Sequence, residues 1–166
     1  MRERLGWLAL AAAVVILDQL TKAWVVAGLP YRHAVELLPF FRLVHVHNTG
    51  AAFSFLAGAG GWQRWFFVAL ALGASVILTV WLWRLPRGRW LEAAGVSLIL
   101  GGALGNFIDR IRYGFVVDFL DFHLGGWHWP AFNLADTAIT VGVGLLLWQS
   151  FFSSESTREP EERHGG

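Results

Sequence analysis

Four stretches, approximately Trp7 to Leu29, Trp65 to Trp83, Trp90 to Ile108 and Asn133 to Phe152, are continuous enough in apolar residues to dominate any folding outcome for this chain. Crossing a hydrocarbon layer roughly 30 Å thick takes about 20 helical residues, and each stretch reaches that length. The sequence is 55% apolar, with ten Trp and thirteen Phe in 166 residues, so too little polar surface remains to cover a water-soluble globule. The predicted fold class is mainly α, an integral membrane protein with four transmembrane helices. Arg2 and Arg4 precede the first stretch as they would in a secretory signal, but the apolar run outlasts a signal and carries Asp18 and Lys22. We read it as an uncleaved helix.

Arginines orient the four spans. Arg2 and Arg4 lie ahead of the first, and Arg84, Arg87 and Arg89 crowd the tight link between the second and third. Short basic connections stay in the cytoplasm, which places both termini inside. The polar segment 153–166 then reads as a disordered cytoplasmic tail after a single domain spanning 1–152. A net charge of +1 with one lysine offers no phosphate-binding face, so nucleic acid is not an expected partner. With no cysteine, disulfides, thiolate metal sites and a cysteine nucleophile are excluded.

The two outer connections differ from the inner one. Leu29 to Arg64 is long, and its centre, Phe41 to Asn48, is β-prone, which predicts a short extracytoplasmic sheet or cradle. Phe53, Phe55 and Leu56 are expected at the bilayer surface. The second connection, Asp109 to Phe132, is shorter and rich in aromatic residues and glycine.

Ionisable residues within or beside apolar spans need a partner or a use. Asp18 and Lys22 are four apart on one helical face, acid before base, a spacing that supports an ion pair; Lys22 could also snorkel outward. Gly101, Gly102 and Gly105 form a small-residue face for close helix approach. Asn106, Asp109 and Arg110 follow at i, i+3 and i+4, with Asp109 and Arg110 expected to brace one another or a neighbour and Asn106 free to donate to a substrate carbonyl. Asn133 reads as an N-cap with Asp136 favouring the helix dipole. Asp118 closes the apolar run Phe115-Val116-Val117 with no nearby basic residue downstream, and neither capping nor a local salt bridge accounts for it.

Other chemistries find little support. His33, His45, His47, His123 and His128 form no recognisable ligand set, so no metal and no other cofactor are expected. Ser54, Ser75 and Ser97 lie in no nucleophile turn.

Taken together, the segments Asp18-Gln19-Leu20-Thr21-Lys22, Asn48 to Ser54, Gly102 to Arg110, Gly114 to Phe119 and Phe132 to Asp136 resemble the signature blocks of the lipoprotein signal peptidases, the type II signal peptidases of bacteria. The blocks stand in the family's order and reach across most of the chain. The resemblance implies an aspartic endopeptidase of the bacterial inner membrane, multi-pass, with its active site toward the extracytoplasmic side. Its implied substrate is a prolipoprotein, cut on the N-terminal side of a lipobox cysteine that already carries diacylglycerol. By position, Asp118 and Asp136 correspond to the catalytic pair. Asp18, Lys22, Asn48, Gly50, Asn106, Asp109, Arg110, Asn133 and Ala135 correspond to the supporting set. The enzyme is expected to act as a monomer among membrane lipids.

Residue chemistry points the same way, because two close carboxylates in a poorly hydrated site cannot both ionise, leaving one as acid and one as base. A proton-coupled transporter or channel subunit, with Asp18, Lys22, Asp118 and Asp136 as a relay, is the alternative reading.

Overall fold

The computed structural model describes residues 2–50 and 60–155. Four helices dominate it: α1 (Arg2–Gly28), α2 (Trp62–Arg84), α3 (Trp90–Tyr113) and α4 (Leu134–Glu155). All four are long and apolar enough to cross a membrane. Exposure along α1 runs opposite to that of a soluble helix: Leu20 and Trp24 are 61% and 65% exposed, while Asp18 and Lys22 are 0% and 3% exposed. Only a hydrocarbon solvent makes this arrangement favourable, since lipid accepts the apolar face and the bundle interior must satisfy the charges. The buried positions of α1, Ala11, Val14, Asp18, Lys22 and Val25, step by three and four and so form one stripe.

Each helix extends past its apolar stretch at one end or both, although α1 stops at Gly28 and α4 starts at Leu134, because backbone hydrogen bonding continues until something breaks it. The third ends at Gly114, whose φ of 81° places it in the left-handed region and whose N–H returns to the Arg110 carbonyl. The fourth continues through Glu155, two residues beyond the start of the tail expected from Ser153, because no proline or glycine interrupts that turn. The remainder of the tail, with Phe53, Phe55 and Leu56, lies outside the described residues.

The central helix is α3, which packs against the other three. Glycines permit this. An added Cβ on Gly102 would lie 2.4 Å from the Ala135 carbonyl oxygen, and one on Gly101 would lie 2.6 Å from Val14 Cβ. Further along, Gly95 and Gly142 meet back to back, a crossing the Gly101-Gly102-Gly105 face does not announce. Gly102→Ala is expected to force α3 from the start of α4 and cost about 1–3 kcal/mol, as overpacking does. Gly6→Ala, with no atom within 4 Å of the new methyl, is the control and should hold or slightly raise the melting temperature, since alanine is the better helix former.

A four-stranded antiparallel sheet of order β1-β2-β3-β4 stands at one end of the bundle, formed by β1 (Ala34–Leu38), β2 (Phe41–Asn48), β3 (Val116–Leu124) and β4 (Trp127–His128). The second strand coincides with the predicted β-prone segment. The third was not apparent as a strand, although Gly114 and Gly125-Gly126 bracket a run rich in Val and Phe. Its pairing with β2 sets Val46 opposite Asp118 and Asn48 opposite Val116, which joins the segment between α1 and α2 to the one between α3 and α4.

Candidate active site

Asp118 enters the site from β3, and Asp136 enters from the first turn of α4. Both face one cavity of about 780 Å³, walled by Asn48, Asn106, Arg110, Phe132 and Thr140 among others. Local sequence explains how α4 begins there. Asn133 Oδ1 accepts from the Asp136 N–H at 2.9 Å, and Asp136 Oδ2 accepts from the Asn133 N–H at 3.2 Å, a reciprocal cap that satisfies two otherwise orphaned donors. The same Asn133 donates its amide to Asp118 Oδ1 at 2.7 Å. Capping and site function are therefore one arrangement, with Asn133 joining the two carboxylates.

Asp118 is 2% exposed and accepts a second amide, from Asn48 Nδ2 at 3.0 Å. Burial first, and the charge of Asp136 second, push its carboxyl up to about 7. Asn48 is itself held, because its Oδ1 accepts from the Gly50 N–H at 3.0 Å, leaving its NH₂ to face Asp118. Gly50 then accepts from Arg110 Nη2 at 2.9 Å through its carbonyl. Glycine acts here entirely through its backbone.

Beneath the pair lies a buried cation. Lys22 Nζ stands 2.8 Å from Asp18 Oδ2, 2.9 Å from Asp109 Oδ2 and 3.0 Å from Asn106 Oδ1, which uses all three of its protons. The i, i+4 pair is present as expected, but Lys22 does not snorkel outward, and its second carboxylate comes from α3. Asp109 therefore braces Lys22 rather than Arg110. Asp18 Oδ1 accepts from the Ala135 N–H at 3.0 Å, and Asp109 Oδ2 accepts from the Val117 N–H at 3.2 Å. One ammonium and two carboxylates thus tie α1, α3, α4 and β3 together. Gly105 must lack a side chain, since a Cβ would lie 2.6 Å from Asp18 Oδ2.

Asn106 links this brace to the pair. Its Oδ1 accepts from Lys22, and its Nδ2 donates to Asp136 Oδ1 at 2.8 Å. One N–H of the amide expected to donate to a substrate carbonyl orients Asp136, and Asn106 also lines the cavity. Gln19 is a supporting residue not singled out from the sequence: it donates to Asp109 Oδ1 at 2.9 Å and to the Gly105 carbonyl at 3.2 Å. Its position beside Asp18 is the signal that could have found it.

Among the described histidines and serines, His47 lines the same cavity, whereas His45, His123, His128, Ser75 and Ser97 do not, and Ser54 lies outside the described residues. His45 bonds the Leu29 carbonyl and His47, while His123 and His128 meet Glu36 and Asp121, carboxylate partners that their aromatic sequence neighbours do not suggest. Ser75 and Ser97 donate to carbonyls of their own helices.

Four spanning helices around a buried charged brace, with two carboxylates opening onto a cavity, make a multi-pass membrane enzyme. Residues 10–152 match the family described as signal peptidase (SPase) II, and the chain belongs to that family. It is 50% identical over 158 residues to the lipoprotein signal peptidase of Shewanella sp. (strain MR-4), covering 95% of this chain and 93% of the relative. It is 53% identical over 149 residues to that of Shewanella loihica (strain ATCC BAA-1088 / PV-4), covering 90% and 88%. A solved bacterial membrane enzyme superposes with a TM-score of 0.80 at 30% identity, covering 96% of this chain and 94% of that one. The relay reading, a transporter or channel subunit, is not supported by these relatives.

Proposed function

We propose that this signal peptidase processes prolipoproteins as an aspartic endopeptidase, with Asp118 and Asp136 activating water for attack on the peptide bond N-terminal to a diacylglyceryl-modified cysteine. The observation that carries this reading is the joint hold by Asn133 on two carboxylates that line a cavity of about 780 Å³. Asp118 keeps the shared proton near neutrality and lends it to the scissile carbonyl oxygen, while Asp136 takes a proton from the attacking water and later delivers it to the leaving amine. The titration belongs to the pair. Residues 1–152 act as the single peptidase domain, and the site faces the extracytoplasmic side of the inner membrane, as the arginine distribution supports.

Purified protein in detergent should cleave a diacylglyceryl-modified prolipoprotein peptide with no ion gradient. Its kcat/KM should fall about tenfold per pH unit above the Asp118 value of about 7, because loss of the shared proton removes the acid. Stability has its own sign. The folded-state value lies above the ordinary 3.8, so the folded protein binds the extra proton, and stability should decline as pH rises from 3.8 to about 7. A cleavage rate that climbed without a break to pH 9 would remove the protonated carboxyl from the mechanism.

A further inference from the structure

We propose that Phe67 of α2 is a positioning residue for this reaction, acting through Arg110 on the turn that aims Asn48 at Asp118; the inference rests on the catalytic pair proposed above. Its ring centroid lies 5.0 Å from the Arg110 guanidinium carbon, and the side chain is buried. From there the links are continuous. Arg110 Nη2 donates to the Gly50 carbonyl at 2.9 Å, the Gly50 N–H donates to Asn48 Oδ1 at 3.0 Å, and Asn48 Nδ2 donates to Asp118 Oδ2 at 3.0 Å. A second guanidinium nitrogen, Nη1, reaches the Asn106 carbonyl at 3.4 Å.

The choice of an aromatic partner has a physical reason. Among the described residues no carboxylate lies within 4.0 Å of Arg110, so its charge is held by carbonyl dipoles and a ring face. A carboxylate in place of Phe67 would neutralise the guanidinium. The ring attracts it through the quadrupole and leaves its positive charge to act on the nearby carboxylates. Among the described residues α2 lines the cavity with no polar side chain, and Arg64 donates to the Ile111 carbonyl at the end of α3, at 2.7 Å.

The test compares Phe67→Leu, Phe67→Tyr, Arg110→Lys and the Phe67→Leu/Arg110→Lys double variant on a diacylglyceryl-modified prolipoprotein peptide, with melting temperatures recorded for each. Phe67→Leu keeps apolar bulk and removes the ring face, and it should lower kcat about tenfold with KM within about twofold of the parent. Phe67→Tyr should recover most of kcat, and the double variant should be no slower than Arg110→Lys alone. Should Phe67→Leu fold poorly, Phe67→Met enters the same cycle. Parental kcat in the Leu or Met variant, equal losses in the Leu and Tyr variants, or losses that multiply in the double variant would each overturn the inference. Asp118→Asn in the same assay separates the two readings: if it retains turnover, the catalytic pair fails, and if it is inactive while Phe67→Leu is unaffected, only the role of Phe67 fails.

Discussion

Asp118→Asn and Asp136→Asn should each lower the rate of prolipoprotein cleavage on the order of 10³-fold or more while the protein still inserts and folds. Asparagine keeps the shape of the side chain but neither takes a proton from water nor supplies one, and general acid–base catalysis alone is worth about 10² to 10⁴. Folding survives because the surrounding donors stay in place. At position 118 one of the two amides from Asn48 and Asn133 loses its acceptor, at a cost of about 1 kcal/mol. Removing a buried carboxylate whose proton is held up to about 7 offsets that cost at neutral pH and above. Initial rates on a diacylglyceryl-modified peptide, with melting curves on the same preparations, check both halves. Near-parental turnover in either variant would end the two-carboxylate mechanism.

Lys22→Leu is expected to be the most damaging single change to stability. It leaves Asp18 and Asp109 facing each other without the ammonium that both contact, and both are essentially unexposed. Removing one partner of a buried ion pair costs about 3–5 kcal/mol, which corresponds to roughly 6–20 °C in melting temperature at this chain length. The i, i+4 spacing alone suggests that replacing Asp18 and Lys22 together by leucine should restore stability. The tertiary arrangement predicts otherwise, because Asp109 is then left as an uncompensated buried carboxylate, and Ala135 and Gln19 each lose an acceptor. Recovery should require Asp109→Asn in addition, and activity should not return with it, since Asn106 would have lost the ammonium that holds its amide toward Asp136. A double-leucine protein as stable as the parent would contradict the three-membered brace.

What could be read from the residues in order is what neighbouring residues decide. Hydropathy over about 20 positions determines the spans, because each backbone amide in a hydrocarbon layer must be satisfied within its own helix. The Asp18–Lys22 pair and the Asn133 cap follow from helical spacing, and β2 from its own β-prone residues. The tertiary structure decided which distant groups share a hydrogen-bond donor, a charge or a turn. Asp18 accepts from Ala135 across 117 positions, Lys22 finds Asp109, Asn106 reaches Asp136, and Phe67 is brought beneath Arg110. None of these partners can be told from spacing, because each depends on how closely the glycines of α3 let the other helices approach and on the register by which β3 meets β2.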